Sequence, residues 1–159
     1  MVFNMIKLII RLLPILYMTF IWLQSSKFNP SQLEYLYPTI HPVVFLMIGG
    51  TLELAHLIQF GILYLLIVLA FLTYGELTTK KEIIALVIAS LYGVIDEIHQ
   101  YFVPYRSFST IDIIKDIIGA VFFWYIIHKV YFKSKDSKIG LLLKRITKLS
   151  TKNKQSIHL

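Results

Sequence analysis

Asp96-Glu97-Ile98-His99-Gln100 sets two carboxylates, an imidazole and an amide side by side, and Arg106 and Ser107 follow an aromatic, Pro-containing stretch. A carboxylate beside an imidazole suits general acid–base work, and a guanidinium suits a phosphate or carboxylate. One form of that chemistry has His99 as general base, Asp96 orienting it and Arg106 holding an anion. On a helix, residues three or four apart share a face. Asp96, His99 and Gln100 form one such set, Glu53 and His56 a second, and Asp112, Lys115 and Asp116 a third. Glu97 sits about 100° round the helix from Asp96. The two carboxylates are therefore not expected to serve one site equally.

The elements that must carry these groups are apolar. Of 159 residues 57% are hydrophobic, the mean hydropathy is +0.69 and only 16% are charged, against roughly 25% in soluble chains. A soluble domain of this composition would expose large apolar patches, so a single-domain integral membrane protein is expected. Cysteine is absent, which excludes disulfides and thiolate chemistry. The first apolar stretch lacks a small-x-small cleavage site and is long enough to span, so no cleavable signal peptide is expected. Richness in Ile, Lys and Tyr fits a bacterial chain from an AT-rich genome.

Four segments approach the roughly 20 apolar residues that cross hydrocarbon. They are Met5–Leu23, Thr51–Tyr74, Glu82–Gln100 and Thr110–Phe132. The third has a short apolar part, Ile83–Ile95. Between the first two, Val43–Ile48 stands between Pro42 and Gly49-Gly50. It reads as a short re-entrant or interfacial segment, or as an early start to the second helix. The expected fold is all-α and polytopic, with four transmembrane helices.

Basic residues set the orientation. Both termini on the cytoplasmic side place thirteen of the sixteen Lys and Arg inside, leaving Lys27, Arg106 and Lys115. The net charge of +7 thus speaks for membrane orientation and lipid contact, not for nucleic-acid binding. In this orientation Glu53 and His56, the 96–107 stretch, and Asp112 and Asp116 all reach the extracytoplasmic level. Residues 1–132 are expected to form the membrane domain and 133–159 a basic cytoplasmic tail. Ile139, Leu142, Leu143, Ile146 and Leu149 recur there among Lys144, Arg145 and Lys148, as in an amphipathic helix on the anionic inner leaflet. A disordered, solvated tail is the bland alternative.

Three readings of the polar set compete. In the first, Arg106, Lys115, His56 and His99 pair with the carboxylates and only hold helices together, as in a non-enzymatic membrane scaffold. In the second, the set lines an outward-facing pocket, with Asp96, Glu97, His99 and Arg106 as catalytic candidates. Glu53, His56, Gln100, Ser107, Asp112 and Asp116 are then binding candidates. In the third, Glu53-x-x-His56 and Asp96-x-x-His99 hold a metal, as a metal-dependent membrane hydrolase would, because helical bundles build carboxylate-bridged centres from such pairs. No cofactor is specified by the sequence.

The remaining polar residues suit blander roles. His41 precedes Pro42 and reads as a surface or interfacial residue. His128 and His158 add to the basic flank, and Trp22 and Trp124 suit interfacial anchoring or lipid-facing packing. Ser107 and Ser109 lack an adjacent base and read as cap or turn residues, while Thr110 is the expected N-cap of the fourth span. Gly61, Gly93 and Gly119 are expected to permit close helix approach, and Gly75 to end the second span.

The stretch Asp96–Ser109 resembles the VanZ-like family of small bacterial membrane proteins. The pattern is Asp-Glu-x-His-Gln, an aromatic-apolar stretch with Pro, then Arg-Ser, and further Asp, acidic and Gly positions matched by Asp112, Asp116 and Gly119. Glu53 with His56, and Trp22 with Gln24-Ser25-Ser26, match earlier features. The resemblance covers roughly residues 10–130. Tyr105 stands where a small residue, often Gly, precedes the Arg, and Lys115 is an unusual basic neighbour. The resemblance implies a multi-pass protein of the bacterial cell membrane and a link to teicoplanin resistance, without fixing a reaction. The expected partners are membrane lipids and either a lipid-linked envelope intermediate or the lipoglycopeptide itself. The expected role is to bind or modify an anionic amphiphile.

Overall fold

The computed structural model describes residues 2–31, 35, 38, 41–134 and 137–155. Among the described residues the chain is all-helical. The order is α1 (Val2–Lys27), α2 (Pro42–Leu72), α3 (Thr79–Tyr101), α4 (Thr110–His128), one π-helical turn (Lys129–Lys133) and α5 (Lys138–Gln155). By length and composition α1 and α2 are long and apolar enough to cross a membrane.

The second helix starts earlier than the Thr51 boundary. Pro42 occupies its first turn, where a missing N–H is no loss, and His41 caps it by accepting from the Val43 N–H at 3.3 Å. From there the helix runs unbroken through Gly49 and Gly50 for 31 residues, about 46 Å at 1.5 Å per residue. Of the readings open for Val43–Ile48, the re-entrant segment is therefore replaced by an early helix start. A Cβ added to either glycine would meet none of the described residues within 4 Å, so neither glycine is held there by a close neighbour.

α2 is the hub, touching α1, α3, α4 and α5. Its Phe60, Leu63, Tyr64, Ile67, Val68 and Leu72 form the middle of the core, with Ile21 of α1, Ala85 and Ala89 of α3, and Ala120 and Ile127 of α4. α3 buries a narrow stripe of Glu82, Ala85, Ala89, Gly93, Asp96, Glu97 and Gln100. The small residues in the middle let neighbouring backbones come close. Its opposite face exposes Ile83, Ile84, Val87, Ile88, Leu91, Ile95 and Ile98. This inverts the pattern of a surface helix in a water-soluble protein, whose polar face points outward. Gly119 sets the α2–α4 approach, because a Cβ there would run into the Leu57 carbonyl.

The end of the bundle near the 73–78 turn carries a polar set of its own. Arg11 donates from Nε to Thr73 Oγ1 at 2.8 Å and stacks over Tyr74 at 3.9 Å. Glu82, 0% exposed, places Oε2 2.9 Å from His128 Nδ1. His128 is thus paired into α3 instead of merely adding to a basic flank. The tail forms α5, which buries Leu143 and Thr147 and seats Lys144 5.6 Å over the Tyr131 ring. Ile139 and Leu142 remain exposed. The Leu149 side chain and the whole of His158 lie outside the described residues.

Candidate functional site

The C-terminal turns of α1 and α3, the loop after α3, the start of α4 and the middle of α2 meet at one end of the bundle. Three polar groupings lie there. The first links α1 to α3. Ser25 Oγ lies 2.8 Å from each carboxylate oxygen of Asp96, and Gln100 Nε2 donates to Asp96 Oδ2 at 2.8 Å. Arg106 Nη2 donates to Gln100 Oε1, and the guanidinium carbon stands 5.3 Å over the Phe28 ring. A chain of donors and acceptors thus runs Arg106–Gln100–Asp96–Ser25, and its inner members are buried.

His99 is not part of that chain. Its Nε2 is 2.8 Å from Ser26 Oγ and its ring stacks on Trp22 at 3.6 Å and 17°. Asp96 spends its oxygens on Ser25 and Gln100, so the expected Asp96–His99 pairing is replaced by two separate contacts with α1. The reason is rotational: Asp96 faces inward, whereas His99 lies on the flank against Trp22.

The second grouping brings together His56 of α2, Glu97 of α3 and Asp116 of α4. One ligand-capable atom from each lies within 4.8 Å of the others. His56 Nδ1 is 3.2 Å from Asp116 Oδ1, and Glu97 Oε2 accepts from the Ser109 N–H at 3.0 Å. Glu97 and Asp116 are 0% and 1% exposed. Asp116 Oδ2 and Glu97 Oε1 have no hydrogen-bond partner among the described residues. Gly93 makes the space: a Cβ on it would stand 3.0 Å from Asp116 Cβ and 3.1 Å from Oδ2. Of the metal candidates Glu53, His56, Asp96 and His99, only His56 belongs to this set among the described residues.

The third grouping is a surface ion pair network. Lys115 bridges Glu53 of α2 and Asp112 of its own helix, the latter at 2.7 Å. The unusual lysine is therefore matched to two carboxylates, and Glu53 is turned away from His56's partners. Ser109, not Thr110, caps α4, with its Oγ accepting from the Asp112 N–H at 3.2 Å.

Two clefts open beside these groups. The larger, about 250 Å³, is lined by Glu53, His56, Gln100, Tyr105, Arg106, Ser107 and Asp112, with Phe28, Pro30 and Leu52. The smaller, about 70 Å³, reaches Gln24, Ser25 and Asp96, and shares His56, Arg106, Phe28 and Leu52 with the first. Beyond it, between α1 and α2, lies a mainly apolar groove of about 420 Å³ lined by Tyr17, Phe20, Leu54 and Ile58, and it shares Gln24, Ala55 and Gln59 with the smaller cleft. Charge, hydrogen-bond donors and an apolar trough thus adjoin.

From sequence alone, Ser25 and Ser26 count only as part of the family resemblance and Glu82 only as the start of the third span, with no contact assigned to any of them. Sequence spacing along one helix cannot tell which neighbouring helix a side chain meets. Only the contact of α1 with α3, and of α3 with α4, reveals them. A family model described as VanZ/LLP1 matches residues 3–132. No curated protein and no solved structure matches the chain.

Proposed function

The chain belongs to the VanZ/LLP1 family, and on that premise we propose that this VanZ-like membrane protein spans the bilayer four times and receives an anionic amphiphile in its Arg106–His56 cleft. Both termini then face the cytoplasm and the cleft faces outward. The exposed aliphatic faces of α3 and of α4, the latter Ile111, Ile114, Ile118, Val121 and Phe122, support two further spans. The carboxylates that lower the mean hydropathy of these helices point inward. At 23 and 19 residues they reach about 35 and 28 Å, close to the roughly 30 Å of hydrocarbon. Residues 1–132 form the membrane domain, and the 133–159 tail lies on the inner leaflet.

The observation that carries the reading is that a guanidinium-bearing cleft adjoins the apolar groove between α1 and α2, the two sharing Gln24, Ala55 and Gln59 as a wall. A head group with negative charge fits beside Arg106, Gln100 and Ser107 while an acyl or prenyl chain lies along Phe20, Leu54 and Ile58. A lipid-linked envelope intermediate and a lipoglycopeptide such as teicoplanin both have that build, and resistance would follow from binding or modifying either. A scaffold role is the second reading. It is supported by Asp96, Gln100 and Lys115, whose partners are already within the protein.

The two separate by titrating the purified chain in nanodiscs with a long-chain polyprenyl phosphate and with the matching neutral polyprenol. Wild type should prefer the phosphate by about tenfold or more, as a charge-assisted contact provides, and Arg106→Ala should erase the preference. Equal affinities of wild type and Arg106→Ala for the phosphate would leave only the scaffold.

A further inference from the structure

His56, Glu97 and Asp116 come from three different helices, and their polar atoms converge behind the cleft wall. Among the described residues no Lys or Arg pairs with these carboxylates. Lys115 is engaged by Glu53 and Asp112, and Arg106 by Gln100. Two buried carboxylates therefore share one imidazole. Each also keeps an oxygen that meets no donor among the described residues, Asp116 Oδ2 and Glu97 Oε1. Leaving buried carboxylate oxygens unpartnered is costly, and buried charges are normally paired or bound to a metal.

We propose that His56, Glu97 and Asp116 form a binding site for a divalent first-row cation such as Zn²⁺ or Mn²⁺. One imidazole nitrogen and two carboxylates suit these ions, whose donor atoms stand about 2.0–2.2 Å from the metal. Donors at that range lie about 3–4 Å from one another, so a separation within 4.8 Å needs only a small contraction of side chains. A dication cancels two carboxylates while the imidazole stays neutral. Ser109 already holds Glu97 by its N–H, which orients the ligand as outer hydrogen bonds do in metal sites. Gly93 keeps the space beside Asp116 open. Because His56 also lines both clefts, the cation borders the cleft that contains Arg106. Three protein ligands leave a coordination position for water or for an anion's oxygen.

The site stands independently of the amphiphile reading, because metal content is measured with no amphiphile present. Untagged full-length protein in detergent is stripped with chelator and dialysed against Zn²⁺ or Mn²⁺. Bound metal is measured by mass spectrometry and thermal unfolding is followed with and without the ion. Wild type should retain about one cation per chain and gain thermal stability with it, as a ligand specific to the folded state confers. Asp116→Asn and Glu97→Gln, close in shape to the originals, should each weaken binding by about 100-fold or more, while His41→Ala should bind as wild type. Wild type that retains no more metal than Asp116→Asn, and whose unfolding ignores both ions, overturns the site.

Discussion

Tyr105 carries φ +66, the left-handed region, and it is the only non-glycine among the described residues to do so. The Arg106 N–H donates to the Val103 carbonyl at 3.1 Å, so Val103 to Arg106 close a β-turn with Pro104 second and Tyr105 third. That is the type II pattern, in which the third position favours glycine. A side chain there costs about 1–2 kcal/mol, and the ring, 73% exposed, recovers little by burial. Tyr105→Gly is expected to raise stability by about 0.5–1 kcal/mol after the greater freedom of glycine in the unfolded chain is counted. Thermal unfolding in detergent reads this as a rise in Tm, and a fall would show that the ring holds the turn. The departure from the family pattern was visible in the sequence; that the turn keeps its shape despite it was not. Asp96, Gln100 and Arg106 were legible as a group because helix spacing and a short loop join them. The company of Glu97 was not, since a helical wheel gives its direction but not the His56 and Asp116 that stand there.

Helix α3 explains why composition understates the number of apolar elements. Its carboxylates fall on one stripe together with Ala85, Ala89 and Gly93, and its aliphatic residues face outward. The apolar run therefore looked short although the helix is continuous from Thr79 to Tyr101. Glycines are equally unreadable without neighbours. Gly49-Gly50 resembles a break yet lies inside α2, whereas Gly119 is pressed against the Leu57 backbone. The pair Gly50→Ala and Gly119→Ala therefore separates open space from close contact. Gly50→Ala should hold or raise stability by up to about 1 kcal/mol, through helix propensity alone. Gly119→Ala should lower it by about 1–3 kcal/mol, the usual range for overpacking, because α4 must move off α2. Equal unfolding temperatures for the two variants would contradict the close α2–α4 contact.

At the scale of the whole molecule, polar side chains gather at the two ends and aliphatic ones between them. One end holds Arg11, Thr73, Glu82 and His128; the other holds the Asp96, His56 and Lys115 groupings. Basic residues favour the first end as the cytoplasmic one. A reporter fused after Lys81 should read as internal and one fused after Phe108 as external; the reverse reading would turn the cleft toward the cytoplasm. The groove between α1 and α2 gives this layout a kinetic side. If the cleft takes an amphiphile through that groove, as proposed, it fills by two-dimensional diffusion along the leaflet. Its occupancy then follows the mole fraction of the amphiphile among lipids, not the amount dissolved in water. Added bilayer dilutes the ligand and slows capture even when the total quantity is unchanged.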